Sequence, residues 1–366
     1  MPNFHYTFHN PGACAGTPAA ALTNPAHPRV DITYAQLMNA QLRLGVYPGG
    51  GWDIDEITWR IYSFIIGFTT IVAAAAAGAA IPAAPPVAGI GQVPFVTTAA
   101  GANLPVSPVA LGVDSTEKGQ IGYHLGTAVG GYLASCMDPG NANAIWFALH
   151  LSRAEANGGV FTFATPQRPD IVAFSLDVIN NNWYEFVVWE NKGHCINNGA
   201  IGAINPALTQ AQSLINCTNF PGGMPLAFAG GPWAVDAHVA SMVDLFHGNF
   251  RVQVIDPPGP GSSIQKGNSK STSDFLRCFY NPFREIIRFK KVTKTYDGKK
   301  FYTVKLVKDV TLGLDAAIVD NFNNKNFSEN VARALSKGYA NKNPDLVYVD
   351  PTGISVELPR NWAPNS

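Results

Sequence analysis

Glycine and proline together place the strongest constraint on the fold of this chain. They number 35 and 27, about a sixth of the 366 residues, and because both interrupt regular elements they argue against an all-helical bundle. Hydrophobic residues make up 46% of the chain and charged residues only 14%, which argues against a disordered, acidic or coiled-coil protein. We therefore expect a folded protein of mixed α and β structure, with one main domain and one or two appendages.

The formal net charge of zero conceals an asymmetry along the chain. Residues 1–262 carry 8 Lys and Arg against 15 Asp and Glu, whereas residues 263–366 carry 17 against 10. A basic end of this kind indicates contact with a polyanion, and a solvated basic surface is the alternative.

The five cysteines are odd in number, widely spaced and without a Cys-x-x-Cys pair. They indicate neither a disulfide framework nor a zinc cluster, so we expect the protein to act in a reducing cytoplasm. The first twenty residues lack the basic stretch and apolar run of a secretory signal. If the protein leaves its cell, we expect export by another route.

Composition divides the chain into four parts. Residues 61–81 are uncharged and long enough to span a bilayer, but their second half is rich in alanine. Membrane contact and a buried, Ala-rich core helix both remain open for them. The predicted parts are an N-terminal segment over 1–56, an uncharged apolar helix and linker over 57–113, a core over 114–262 and a basic module over 263–366.

From residue 114 the sequence alternates between helix and strand signals. Asp114 or Ser115 can cap a first helix that carries Glu117. Runs rich in β-branched and aromatic residues then predict a three-stranded meander. The predicted elements after the first helix are a helix over 141–156, strands over 160–164, 170–176 and 184–192, a helix over 206–215, a short strand over 226–228, a helix over 235–246 and a strand over 250–255.

The basic module has fewer clear signals. A Ser/Lys/Asn-rich stretch over 262–273 predicts a linker, and a Tyr-Asp-Gly-Lys turn predicts a hairpin of strands over 286–294 and 301–307. A helix is predicted over 328–339, with Ser328 as its cap.

The candidate chemistry lies on the third strand of the meander. Side chains two apart share a face of a strand, so Glu190 and Lys192 are expected side by side at the end of an apolar run. Buried charges need partners, because leaving them unpaired costs several kcal/mol. Antiparallel pairing across the Asn180–Asn182 turn would bring Asp170 next to both. The alternative is a surface pair of Glu190 and Lys192 at a fraying strand end.

Two carboxylates and a lysine in this arrangement favour a hard divalent cation. Oxygen ligands suit Mg²⁺, with Mn²⁺ as a substitute, and the cation would also bind waters and a substrate phosphate. The lysine would orient the attacking water or neutralise the charge that develops on phosphorus. The predicted reaction is phosphodiester hydrolysis.

At these residues the chain resembles the PD-(D/E)xK nuclease superfamily. The resemblance rests on Pro169-Asp170, on Glu190-Asn191-Lys192 and on the order helix, three strands, helix, strand, and it covers roughly residues 114–256. It implies an α/β fold with a restriction-endonuclease-like core. To this core we add an Ala/Gly-rich N-terminal region and a basic α+β C-terminal module.

The resemblance also implies roles for individual residues. In that superfamily the Asp and the Glu bind the metal, the backbone carbonyl of the residue before the Lys also binds it, and the Lys assists catalysis. These roles fall on Asp170 and Glu190, on Asn191 and on Lys192.

Two further positions follow from the same resemblance. A glutamate on the preceding helix often completes the site, and Glu117 occupies a suitable place. Some branches carry a glutamine on the helix after the Lys strand, for which Gln210 and Gln212 are both candidates.

The basic module supplies the expected DNA contact. Lysines interleaved with aromatic residues on one hairpin are typical of a non-specific clamp on the phosphate backbone, and an exposed hairpin kept soluble by lysines is the alternative. The lysines predicted to bind nucleic acid are Lys290, Lys291, Lys294, Lys299 and Lys300.

Together these features predict a Mg²⁺-dependent DNA endonuclease. A cysteine-poor nuclease without a signal peptide, behind an uncharged segment, resembles antibacterial effector toxins in layout. That resemblance implies delivery into a target cell and an immunity protein or a delivery chaperone as partner. A restriction or defence nuclease acting in its own cell and a catalytically silent binding scaffold are the alternatives, and the oligomeric state is open.

Overall fold

The structure, a computed structural model, describes a subset of the chain. The described residues are 3–9, 29–31, 33–44, 57–58, 60–62, 115–136, 141, 143–194, 200–219, 221, 232–244, 251–255, 264–341 and 346–360. The predicted helix over 61–81 beyond Tyr62, the linker before residue 114 and the strand over 226–228 lie outside them. Among the described residues no helix is long and apolar enough to cross a membrane.

The part of the chain up to Ile255 forms a mixed sheet with helices. Its elements are β1 (Asn3–His9), β2 (Arg29–Asp31), α1 (Tyr34–Leu44), α2 (Ser115–Cys136), β3 (Ala144–His150), α3 (Leu151–Ala156), β4 (Val160–Phe163), β5 (Ile171–Asp177), β6 (Asn182–His194), α4 (Ala200–Ala211), β7 (Leu214–Asn219), β8 (Trp233–Ala234), β9 (Ala237–Asp244) and β10 (Arg251–Ile255). The large sheet has the order β2-β1-β10-β9-β6-β5-β3, and a smaller sheet has the order β4-β7-β8.

The centre of the large sheet consists of four strands. Helix α2 precedes the antiparallel strands β3, β5 and β6 in the chain, and helix α4 precedes β9, which pairs parallel to β6. The predicted first helix, the strands of residues 170–176 and 184–192 and the strand over 250–255 are confirmed. The protein is therefore of mixed α/β type, and its central order is helix, three strands, helix, strand.

Two predicted helices are wrong because they are buried strands. The segment over 141–156 contains β3 and the short α3, and the segment over 235–246 contains β9. Both strands are buried along most of their length, so their sequences are nearly continuous apolar runs without the alternation of a half-exposed strand. Such a run cannot be distinguished from a buried helix by periodicity.

Two further boundaries differ from the prediction. The strand predicted over 160–164 forms as β4, but it pairs with β7 in the smaller sheet, so β3 is the first strand of the meander. The helix predicted over 206–215 is α4, which begins before Pro206, and Ile215 lies in β7.

The C-terminal part adds a third sheet, of five strands, and three α-helices. Its elements are β11 (Gln265–Lys266), α5 (Ser269–Phe289), β12 (Val292–Tyr296), β13 (Lys299–Lys305), β14 (Thr311–Asp315), α6 (Ala316–Asp320), α7 (Phe327–Leu335), β15 (Val347–Val349) and β16 (Ile354–Glu357). The sheet has the order β12-β13-β14-β16-β15, and β11 pairs with β6.

The predicted hairpin is confirmed as β12 and β13, but the linker prediction is wrong. Asn268 caps α5 through a capping box with Ser271, so the polar stretch over 262–273 contains the start of a long helix. Residues 286–289 belong to that helix and not to the hairpin. The last predicted helix forms as α7, and Asn326 takes the cap position that was predicted for Ser328.

Helix α5 joins the basic module to the main sheet through a shared aromatic core. The ring centroid of Phe275 lies 5.0 Å from that of Trp183 and 5.9 Å from that of Phe174, and Phe279 lies 5.0 Å from Phe147. All five rings are buried. Since burying one such side chain stabilises a protein by about 1.5 to 3 kcal/mol, the two parts depend on each other for stability.

Candidate active site

The predicted site lies where β5 begins and β6 approaches its end. The two strands pair antiparallel, with Ile171 opposite Trp189. One residue before the paired part of β5, the backbone N–H of Asp170 donates to the Glu190 carboxylate, so these two residues are neighbours. The predicted proximity of Asp170 and Glu190 is therefore confirmed.

Hydrogen bonds lock the two carboxylates together. The backbone N–H of Asp170 donates to Glu190 Oε2 at 2.9 Å, and the backbone N–H of Asn191 donates to Asp170 Oδ2 at 3.1 Å. Lys192 Nζ donates to Glu190 Oε1, which confirms the predicted pair of side chains on one face. Each carboxylate is thus held by the backbone of the other strand, which fixes its position before any ligand binds.

The backbone of Asn191 lies beside Asp170. Its N–H donates to Asp170 Oδ2 at 3.1 Å. Within a strand the N–H and the carbonyl of one residue point to the same side, which places the Asn191 carbonyl on the side of Asp170. Pro169, the residue before Asp170, has no N–H to donate to it.

Burial and mutual repulsion disfavour the ionised forms of both carboxyl groups. Glu190 is fully buried, and burial together with the charge of Asp170 raises its pKa to about 8, against the opposing effect of Lys192. Burial also raises the pKa of Asp170, opposed by the Asn191 N–H and by Lys192. A divalent cation between the two groups would favour both as carboxylates.

The donor set fits a hard cation. The site offers two carboxylates and one backbone carbonyl, which are the oxygen donors that Mg²⁺ and Mn²⁺ prefer, with waters completing the shell. Within the described residues no group of three His, Cys, Asp or Glu side chains is placed to hold a metal. The candidate centre therefore has two acidic side chains among the described residues.

Gln210 of α4 connects Lys192 to the loop before Asp170. Gln210 Oε1 accepts from Lys192 Nζ at 3.0 Å, and Gln210 Nε2 donates to the carbonyl of Arg168 at 2.6 Å. Gln212 lies beyond the end of α4 and its side chain is exposed. Of the two glutamines that the sequence left open, Gln210 is the one at the site.

Glu117 lies in α2, as predicted, but its side chain is outside the described part of the structure. The side chain of Asn191 points away from the carboxylates, since its Oδ1 accepts from Ser241 at 2.7 Å on the other face of the sheet. Any contribution of Asn191 to the site therefore comes from its backbone.

Two residues near the site were missed by sequence reasoning. The side chain of Arg168 is 51% exposed, lies over the ring of Phe163 at 4.8 Å and pairs with Glu155. Tyr123 is 46% exposed, and its pKa is raised by burial and by the nearby charges of Asp170 and Glu190. Arg168 could have been noted because it directly precedes Pro169-Asp170.

A glycine face on α2 was also missed, although its spacing is visible in the sequence. Gly122, Gly126 and Gly130 face β6 at Asn191, Lys192 and Gly193. A Cβ at Gly122 would lie 2.9 Å from the Cα of Gly193, which leaves no room for a side chain. The absence of side chains lets the helix backbone lie directly against the strand that carries Lys192.

The predicted lysine clamp is spread over both faces of the hairpin. Lys294 pairs opposite Phe301 and Lys299 opposite Tyr296, whereas Lys300 pairs opposite Thr295. Because side chains alternate along a strand, Lys294 and Lys299 lie on one face and Lys300 lies on the other. Lys294 Nζ also binds Glu357 Oε2 at 2.5 Å, and Lys290 and Lys291 are exposed where α5 ends.

The hairpin lies far from the two carboxylates. Lys299 Nζ donates to the carbonyl of Gly338, which lines a cavity of about 390 Å³ together with Ala144 and Val178. Ala144 pairs with Asp177 at the end of β5 opposite to Asp170. The strand between them spans about 20 Å at roughly 3.3 Å per residue.

No protein-family model, curated protein or solved structure matches this chain.

Proposed function

We propose that this chain is a nuclease that hydrolyses DNA phosphodiester bonds with Mg²⁺, or with Mn²⁺ as a substitute. The observation that carries the proposal is the interlocked pair of Asp170 and Glu190, with the ammonium of Lys192 on Glu190 and the Asn191 backbone N–H on Asp170. Two adjacent buried carboxyl groups destabilise a protein when both are ionised, and groups with such raised pKa values are common at functional sites, where a bound cation would compensate their charge.

The order of elements supports a finer proposal for the fold. A helix, an antiparallel meander, a second helix and a parallel fourth strand surround the site. This order agrees with the restriction-endonuclease-like core, in which the catalytic residues lie on the second and third strands of the meander. We propose that residues 114–262 contain that core.

In this proposal Asp170, Glu190 and the Asn191 carbonyl hold the metal. A bound Mg²⁺ supplies Lewis-acid stabilisation of phosphoryl oxygens and lowers the pKa of a bound water. Lys192 either orients the attacking water or neutralises the charge that develops on the phosphate. Gln210 restrains the ammonium of Lys192 through its 3.0 Å hydrogen bond and is in turn fixed to the Arg168 carbonyl.

The biological role that we propose is that of an antibacterial effector acting in the cytoplasm of a target cell. The uncharged stretch over 61–113 and the basic C-terminal part support this layout. Its partners would be DNA and an immunity protein or a delivery chaperone. The alternative is a defence nuclease that acts in its own cell. Cells should tolerate expression of a defence nuclease without an immunity protein, whereas expression of an effector should be toxic.

Cleavage of supercoiled plasmid by the purified protein tests the enzymatic proposal. We expect nicking and linearisation with Mg²⁺ or Mn²⁺ and none with EDTA. Asp170→Asn and Lys192→Met should abolish cleavage without loss of the folded state, whereas Gln212→Ala should retain it. Cleavage that persists in both site variants would contradict the assignment, and cleavage of RNA alone would change the substrate.

A further inference from the structure

A second basic surface lies between the hairpin and helices α6 and α7. It is an open cleft of about 320 Å³ with three lysines, Lys299, Lys300 and Lys337, on its walls. Three alanines, one of them in α7 and two at the start of α6, provide small side chains in its lining. The cleft is therefore wide enough to admit a group larger than water.

The acidic residues of the cleft are already engaged. Asp315 accepts from the backbone N–H of Ala317 at 2.8 Å and from the hydroxyl of Tyr339 at 2.9 Å. Asp320 accepts from the hydroxyl of Tyr302 at 3.1 Å. These bonds stabilise both carboxylates from within the protein. Lys299 Nζ donates to the carbonyl of Gly338 and Lys300 Nζ donates to the hydroxyl of Tyr302 at 3.1 Å, and since an ammonium group has three donors, each keeps donors for an external anion.

The lysines of the cleft differ from their neighbours on the same hairpin. Lys294 pairs with Glu357 and Lys305 pairs with Asp309. Across the described ranges, the ion pairs of the protein include none for Lys299, Lys300 or Lys337. Their positive charges are consequently uncompensated by a carboxylate contact.

Aromatic rings hold these side chains in place without removing their charge. Lys299 Nζ lies 3.9 Å from the ring centroid of Tyr339, and Lys300 Nζ lies 4.8 Å from that of Tyr302. Lys291 Nζ lies over the same Tyr302 ring at 3.2 Å. Contacts of this kind orient an ammonium group while it remains able to bind an anion.

Repulsion between Lys299 and Lys337 is a second indication that the cleft favours an anion. The pKa of Lys299 is lowered by burial and also by the ammonium of Lys337, against the opposing charges of Asp315 and Asp297. Two ammonium groups that destabilise each other are stabilised together by an anion placed between them.

We propose that this cleft binds a backbone phosphate of nucleic acid. The inference rests on the proposed nuclease function and adds to it a second contact at the other end of the core from Asp170. Because β5 alone spans about 20 Å and a duplex rises 3.4 Å per base pair, a duplex of 20 base pairs extends well beyond the length of β5, whereas one of 6 base pairs barely matches it. The cleft would anchor the longer substrate and would not take part in the chemistry.

Binding to fluorescent duplexes of 6 and 20 base pairs tests this proposal. The protein would be Lys192→Met, so that the DNA stays intact, and the cleft variant would add Lys299→Gln, Lys300→Gln and Lys337→Gln. We expect the cleft variant to bind the longer duplex at least about 10-fold more weakly and with a salt dependence reduced by roughly one phosphate contact or more. The control variant adds Lys266→Gln, Lys270→Gln and Lys305→Gln, three exposed lysines outside the cleft.

Equal affinity of the cleft and control variants for the 20-base-pair duplex would overturn the proposal. Circular dichroism before each titration confirms that the variants remain folded, and the single variant Lys337→Glu provides a second charge change at one exposed position. Loss of binding in the cleft variant, with no plasmid cleavage by the unmodified protein, would support phosphate binding by the cleft and contradict the proposed nuclease activity. Plasmid cleavage by the unmodified protein, with unchanged DNA binding by the cleft variant, would support the nuclease activity and contradict phosphate binding by the cleft.

Discussion

The side-chain amide of Gln210 accepts a hydrogen bond from the ammonium of Lys192 at 3.0 Å. Its nitrogen is fixed at the same time by the carbonyl of Arg168, at 2.6 Å. The amide therefore cannot turn without losing one of these bonds. Gln210 acts on the site through Lys192, which makes it a positioning residue.

We expect Gln210→Ala to lower kcat by about tenfold or more and to leave KM for DNA nearly unchanged, because the ammonium of Lys192 loses its restraint and not its charge. Initial rates of plasmid cleavage over a range of DNA concentrations measure both constants. Gln210→Glu should keep the hydrogen bond to Lys192 and restore part of the rate.

The matched control is Gln212→Ala, since Gln212 is exposed and lies just beyond α4. A loss of rate in the Gln212 variant equal to that of Gln210→Ala would show that the effect comes from the helix end in general. A change in KM alone would assign Gln210 to DNA binding.

Removing a buried carboxylate should stabilise the metal-free protein. Glu190 is fully buried beside Asp170, and Glu190→Gln keeps an oxygen that can accept from the Asp170 N–H. We expect the free energy of unfolding in EDTA at pH 7 to rise by roughly 1 kcal/mol or more, because Glu190, whose pKa is about 8 in the folded protein, is ionised in the unfolded chain and must bind a proton on folding, whereas glutamine has no such cost. Denaturant unfolding measures it, and calorimetric titration should show that the variant has lost Mg²⁺ binding.

Glu285→Gln is the control for this experiment, because Glu285 pairs with Arg284 and Arg288 on the surface of α5, away from the site. It should change stability by less than about 1 kcal/mol, as surface ion pairs contribute little. A Glu190→Gln protein that is less stable than wild type would mean that Glu190 is a structural residue.

Close contact between α2 and β6 should make Gly193 sensitive to substitution. A Cβ added at Gly193 would overlap the backbone of Gly122, and neither backbone can move without separating the helix from the strand. We expect Gly193→Ala to destabilise the protein by about 1 to 3 kcal/mol and to lower cleavage, because Lys192 is the adjacent residue. Thermal unfolding and plasmid cleavage measure the two effects.

Gly119→Ala tests the same change on α2 where there is space. Nothing lies within 4 Å of a Cβ at that position. The substitution should stabilise the helix by about 0.5 to 1 kcal/mol through helix propensity. Equal destabilisation by the two alanines would contradict the role of the close contact.

The core of the site was predictable because it depends on local rules. Alternation along β6 places Glu190 and Lys192 on one face, and a short turn fixes the antiparallel pairing that brings Asp170 to them. Gln210 could not be separated from Gln212, since both lie inside the predicted helix over 206–215, whereas α4 ends at Ala211 and leaves Gln212 beyond it. The hydrogen bond from the Asn191 N–H to Asp170 depends on the three-dimensional structure.

Elsewhere the sequence was ambiguous for physical reasons. Strands β3 and β9 are buried and lack alternation, so their apolar runs also suit a helix. Helix α5 begins in a polar stretch that resembles a linker, and its apolar face is explained only by the aromatic core it meets. The association of the basic module with the sheet depends on this long-range packing.

A buried ion pair links α1 to the C-terminal sheet and should make stability depend on pH. Arg43 Nη1 lies 3.2 Å from Asp350 Oδ2, and both side chains are almost fully buried. Burial raises the pKa of Asp350, while Arg43 and hydrogen bonds from Thr352 and Ile354 oppose that change. Arg43→Met removes the main opposing charge, so the pKa of Asp350 should rise further in the variant.

An acid whose pKa is higher in the folded state contributes stability at low pH that is lost as the pH rises from its unfolded value through its folded value. We therefore expect Arg43→Met to lower the free energy of unfolding by about 3 to 5 kcal/mol at neutral pH, where the buried Asp350 carboxylate is left unpaired. The decrease should be smaller near pH 4, where Asp350 binds a proton. Urea unfolding between pH 4 and pH 7 measures the difference. Adding Asp350→Asn to the variant should remove most of its pH dependence, whereas a constant difference between Arg43→Met and wild type across this range would mean that the two charges are not coupled.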